Sequence, residues 1–117
     1  MSEAVAKKQK DVLPYNYAIV ASVLREGKDN AITTKDIMNF TGIKDKRSIH
    51  EIIERLVVKY GYCIGSSRSG FKKGYYFISN KDELKDTLHS YNAQIQSMLK
   101  RHKALQENIV KMNEKGA

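Results

Sequence analysis

Nine side chains toward the C-terminal end set the first limit on how this chain can fold. Leu84, Leu88, Tyr91, Ile95, Met98, His102, Leu105, Ile109 and Met112 follow one another at spacings of 4, 3, 4, 3, 4, 3, 4 and 3. A period of about 3.5 residues held over about four heptads predicts one continuous helix. About 30 residues at about 1.5 Å each extend about 45 Å, too far to be covered along their whole length by the remaining residues. Part of the helix therefore needs another partner, most simply a second copy of the chain. The seam for such a homodimer is Leu88, Tyr91, Ile95, Met98, His102, Leu105 and Ile109. His102 is its polar member, and a single polar residue at such a position fixes register and strand number at some cost in stability. Protonation of a histidine there, below about pH 6.5, weakens the pairing.

The chain has 117 residues, enough for one small domain and one appendage. Its formal charge is +8. The excess is local: residues 1–30 carry +1, residues 31–80 carry +5 and residues 81–117 carry +2. A basic surface on the middle segment favours polyanionic partners. Cys63 stands alone, which excludes an intramolecular disulfide and a cysteine-rich zinc site. It is expected to be a small buried apolar side chain in a reducing compartment. No apolar run approaches 18 residues and no leader pattern is present, so a soluble protein of the cytoplasm, without a membrane partner, is expected.

Residues 1–12 mix charge and small side chains without periodicity and predict a mobile tail. The domain then spans residues 13–80. Pro14 suits a first helical turn, and Tyr17, Val20, Val23 and Leu24 share a face, predicting a helix to Glu26 closed by Gly27. After a polar KDN turn, Ala31 and Ile32 form a short strand able to pair with a later hairpin. Thr33 or Thr34 caps a two-turn helix whose Ile37, Phe40 and Met38 face a core, and Gly42 ends it. Ile43 then plugs the angle to a third helix capped by Asp45. That helix carries an apolar stripe of Ile49, Ile52, Ile53, Leu56, Val57 and Tyr60. Tyr62–Ile64 and Tyr75–Ile78 are β-rich runs around the loop GSSRSGFKKG. Of Tyr75 and Tyr76, one is expected in the core and the other in solvent. Asn80 with Glu83 makes a capping-box arrangement at the start of the long helix, residues 81–113, and residues 114–117 form a tail.

Helix, turn, helix, strand, basic loop and strand in this order make a winged helix-turn-helix. The fold class is thus mainly α with a small β-hairpin, followed by a long C-terminal helix. In a helix-turn-helix the start of the second helix enters the major groove. Here that is KDKRSIHE, which nominates Lys44, Lys46, Arg47, Ser48 and His50, with Arg55 further along. Arg47 is the best base reader, because a guanidinium pairs bidentately with guanine. In the loop, Arg68 is placed to enter the minor groove and Lys72 and Lys73 to meet phosphates. Thr33, Thr34 and Lys35 sit at a helix N-terminus suited to a backbone phosphate. Glu51 lies four residues from both Arg47 and Arg55 and is expected to order them. No phosphate loop, metal-ligand spacing or nucleophile beside a base is present, so neither an enzyme, a cofactor nor a small-molecule substrate is expected.

Residues 31–105, through ITTKDIMNFTGIKDKRSIHEIIERLVVKYGYCIGSS and GYYFISNKDELKDTLHSYNAQIQSMLKRHKAL, resemble small winged-helix proteins of bacteriophages and mobile elements of Gram-positive bacteria. The resemblance implies a recognition helix at Lys46, Arg47 and His50, a wing at Arg68, Lys72 and Lys73, and a dimerisation helix from Leu88 to Leu105. It also implies double-stranded DNA as partner and a role among replication or early regulatory proteins. The alternative expectation is a module that captures a host replication or defence protein through the same basic surface.

Overall fold

The computed structural model describes residues 12–68 and 73–116. The expected tail before Val12 and the centre of the basic loop, including Lys72, lie outside the described residues. Among those described are four α-helices and one hairpin: α1 Tyr15–Val23, α2 Thr34–Thr41, α3 Lys46–Val58, β1 Ile64–Ser67, β2 Gly74–Phe77 and α4 Lys81–Gly116, with a 3-10 turn at Lys28–Asn30. The protein is thus mostly helical with a small antiparallel sheet and a long C-terminal helix. It divides into two compact units, one ending at Thr87 and the other beginning at Leu88.

Local chemistry explains the first unit. Thr33 caps α2 by accepting from the Asp36 N–H at 3.0 Å, and Gly42 ends the helix with φ +82, a left-handed conformation that glycine adopts without the penalty of a Cβ. Asp45 caps α3 by accepting from the Arg47 N–H, and Ser48 donates to its other oxygen at 2.9 Å. These two bonds, Ser48 first, hold the Asp45 carboxyl below its ordinary pKa. The stripe on α3 then buries Ile49, Ile52, Ile53 and Leu56 against Val20 and Leu24 of the α1 segment, Ile37 of α2, and Ile64 and Phe77 of the hairpin. Burial of such side chains at about 25 cal/mol per Å² of apolar surface is the main force holding the unit together.

Several expectations shift. The first helix stops at Val23 rather than Glu26, because Arg25 and Gly27 are drawn into backbone hydrogen bonds with Phe77 at 2.8 and 2.9 Å. Phe40, expected in the core, is 61% exposed, and Val57 lies at the margin of the stripe. β1 begins at Ile64, two residues later than the run Tyr62–Ile64 suggested, and takes in Gly65, Ser66 and the buried Ser67. Cys63, expected to be buried, is exposed. Helix α4 continues through residues 114–116, where Glu and Lys are good helix formers and nothing interrupts the ladder.

The hairpin pairs Ile64 with Phe77, Gly65 with Tyr76, Ser66 with Tyr75 and Ser67 with Gly74. On its other edge β2 takes Ile32, which exchanges hydrogen bonds with Tyr75 at 3.0 and 2.7 Å; the strand expected at Ala31–Ile32 is thus reduced to a single bridge at Ile32, beside a sheet of two strands. Neither tyrosine is left in solvent. Tyr75 packs against the main core, whereas Tyr76 is 1% exposed and builds a second small cluster with Ala31 and Ile78. That cluster is closed by Thr87, whose hydroxyl lies 3.5 Å from the Tyr76 hydroxyl. A methyl group on Gly65 would stand 2.6 Å from the Tyr76 ring and 2.8 Å from Thr87, so glycine is needed there for space.

Glu83 ties three segments together. Asn80 caps α4 through the Glu83 N–H, while the Glu83 carboxylate accepts from the Ser79 N–H and hydroxyl and, across the chain, from the Lys28 N–H at 2.8 Å. Partial burial pushes this carboxyl up, but the N–H groups of Lys28 and Ser79 and the Ser79 hydroxyl outweigh it, and the net shift is downward. A lowered folded-state pKa means a contribution present above the unfolded pKa and lost as pH falls through the folded one. Glu83→Gln is therefore expected to cost about 1 kcal/mol near neutral pH, discounted for the partial exposure of the carboxylate, and the cost should fade as pH falls through the lowered folded-state pKa. Urea unfolding of both proteins across that range checks this; a difference independent of pH would refute the assignment.

Candidate nucleic-acid interface

Lys46 and Arg47 open α3, Lys44 lies just before it, and all three are exposed; His50, four residues from Lys46 and three from Arg47, is the helical neighbour of both. Lys44 and Lys46 extend into solvent. Arg47 is 86% exposed and lies 3.8 Å from Glu51, so the expected i,i+4 pair forms on this side. An exposed pair of that kind contributes only a few tenths of a kcal/mol and leaves the guanidinium available to another acceptor. Ser48, by contrast, spends its hydroxyl on Asp45 and serves the cap.

His50 links the elements. Its Nε2 lies 3.3 Å from the Thr34 hydroxyl at the start of α2, and its ring meets Tyr75 of β2 edge to face at 6.2 Å. Gly74 lies just before Tyr75, and a Cβ on it would meet the Ile32 carbonyl and the Thr33 backbone nitrogen, so the two backbones run close together there. The first turn of α2, the first turns of α3 and the beginning of β2 therefore form one continuous surface. Thr33, Thr34 and the exposed Lys35 lie on it from α2; Lys73, also exposed, adjoins it from the hairpin. Arg68 follows β1 and is exposed.

Arg55 does not join this group. Its Nη1 donates to the Tyr17 hydroxyl of α1 at 3.2 Å, a bond that raises the guanidinium pKa further. It stands two turns of α3 beyond Arg47, about 12 Å along the axis. Of the two arginines expected to flank Glu51, only Arg47 forms an ion pair with it. Arg55 is a brace between α1 and α3 instead, continuing the edge-to-face contact of Tyr17 with Tyr60 at 5.9 Å.

The part that sequence reading missed is Tyr75. Strand alternation places it in the core or in solvent, yet it is the contact through which the hairpin is set against His50. No local pattern marks it, since residues 34, 50 and 75 meet only after the helices and hairpin have packed.

The surface has the charge and texture for an extended anion. It offers lysines for phosphates, the exposed Arg47 guanidinium with its long contact to Glu51 for a planar acceptor pair, and the Thr34 hydroxyl and His50 imidazole between them. Among the described residues no cluster of His, Cys, Asp and Glu is arranged to hold a metal ion. Nor, among the described residues, is any helix long and apolar enough to cross a membrane. No family model matches the chain, and neither a curated protein nor a solved structure shows significant similarity to it.

Proposed function

We propose that this chain is a double-stranded DNA-binding protein with a winged helix-turn-helix, acting as a transcription regulator or replication accessory factor. In this reading α2 and α3 form the helix-turn-helix, α3 enters the major groove, and the hairpin with Arg68 and Lys73 is the wing on the minor groove or backbone. The observation that carries it is the Thr34–His50–Tyr75 contact, which joins the start of α2, the start of α3 and the hairpin in one exposed basic face. Arg47 is the base reader. Lys35, Lys44, Lys46, Arg68 and Lys73 are the phosphate contacts, with Thr33 and Thr34 at the α2 N-terminus.

The test is binding of the full chain to random duplex DNA over a salt series. About five phosphate contacts predict a slope of log affinity against log salt near −4.5. A flat salt response, or no binding to any duplex at low salt, would overturn the reading. Capture of an acidic host protein under the same conditions in place of duplex would identify the basic face as a protein-docking surface instead.

A further inference from the structure

We infer that the second unit pairs with a second copy of this chain as a parallel two-stranded coiled coil in which the two His102 side chains face each other. This rests on the helix from Leu88 onward and is independent of DNA binding.

Leu88, Tyr91, Ile95, Met98, Leu105, Ile109 and Met112 are each between 52% and 66% exposed, a continuous apolar seam with nothing over it in one copy. A shallow groove lined by Ile95, Met98, Leu99, Arg101, His102 and Leu105 runs along its middle. Six of the eight positions that flank the seam are uncharged, Asn92, Leu99, Gln106 and Asn113 on one side and Gln94 and Asn108 on the other, and the two charges, Arg101 and Lys115, lie about four turns apart on one flank. Flanks of that kind give no charge code for a foreign helix, while the seam matches itself at every layer.

Orientation follows from Arg101 and His102. An antiparallel copy aligned to use the whole seam sets Leu88 against Met112, Tyr91 against Ile109, Ile95 against Leu105 and Met98 against His102. That alignment also brings the two Arg101 side chains together on one flank, and it gives the His102 N–H only a thioether as acceptor. In a parallel copy Arg101 meets the second copy's Gln106, and one neutral His102 ring donates to the other. Isoleucine at 95 and 109, in the same heptad position as His102, favours two strands over three or four within the parallel arrangement.

The paired histidines make the assembly acid-sensitive. Around each His102 lie Arg101 and Lys103 of its own helix and Arg101 and His102 of the second copy, all cationic or able to become so. The nearest carboxylate, Glu107, is five residues along on the outer face. Protonation thus adds like charge to a crowded layer without a counter-ion.

Sedimentation equilibrium of the full chain near pH 8 is expected to show a dimer at tens of micromolar, and Ile95→Asp to weaken it at least about 100-fold. A monomer in the first case, or an intact dimer in the second, overturns the proposal. For orientation, Leu88→Cys and Met112→Cys are each made in a Cys63→Ser chain and equilibrated in a thiol–disulfide buffer. Parallel strands bring like positions within disulfide reach, whereas in an antiparallel pair the two residues 88 lie about 36 Å apart. Each variant is expected to cross-link with itself; cross-linking only when the two variants are mixed refutes the parallel arrangement. Between about pH 8 and about pH 5 the wild-type dimer should weaken at least about tenfold and His102→Leu much less. Equal pH dependence in both removes His102 from the interface.

Discussion

Gly74→Ala is expected to be the most costly single methyl addition in the first unit, lowering its stability by about 3 kcal/mol. Two effects coincide at this residue. Its φ is +119, where a side chain is strained, and the new Cβ would run into the Ile32 carbonyl and the Thr33 nitrogen, which are backbone and cannot swing aside. Relief requires that Ile32 move away from β2, which sacrifices the two hydrogen bonds it exchanges with Tyr75. Gly42→Ala is the control. Its φ of +82 is equally left-handed, but nothing lies within 4 Å of the added carbon, so only the conformational cost of about 1 kcal/mol applies. Thermal unfolding followed by circular dichroism should show a drop of the order of 15 °C for Gly74→Ala and about 5 °C for Gly42→Ala. Equal drops would mean that the Ile32 contact carries no weight. Because Thr33 and Thr34 follow Ile32 directly, the same substitution should also disturb the basic face it leaves chemically unchanged.

The contrast between these two glycines shows what the sequence could disclose. Gly42 was legible, since a short amphipathic helix followed by glycine and an isolated Ile43 states its own geometry. The α3 stripe and the C-terminal heptads were legible for the same reason: a period near 3.6 or 3.5 is repeated often enough to outweigh any single residue. What escaped was decided by partners distant in the chain. Helix α1 ends early because Phe77, over fifty residues away, claims the backbone of Arg25 and Gly27. Arg55 turns to Tyr17 rather than Glu51, and Tyr76 is buried because Thr87 of the following helix closes over it. Each of these is a tertiary contact overriding a local preference, and each moves a boundary or a role without altering the order of elements.

Arg47→Ala is expected to reduce affinity for the preferred duplex by about 10- to 100-fold and to flatten discrimination at one base pair. Lys46→Ala should act differently, weakening all duplexes by a similar smaller factor and lowering the salt slope by about one. The distinction rests on geometry: Lys46 ends in a point charge in solvent, whereas Arg47 carries a planar fork held only by a long contact to Glu51. That contact also separates two accounts of Glu51. If the carboxylate merely holds Arg47 in solution, Glu51→Gln should strengthen binding to every duplex slightly by removing a negative charge from the face. If it accepts from a cytosine amino group, the same change should weaken one sequence and spare the rest. Fluorescence anisotropy on genomic fragments selected for binding, each compared with its single-base variants, resolves both questions together. A uniform loss across all fragments for Arg47→Ala would demote that residue to a phosphate contact and leave sequence reading to His50 or to the shape of the duplex.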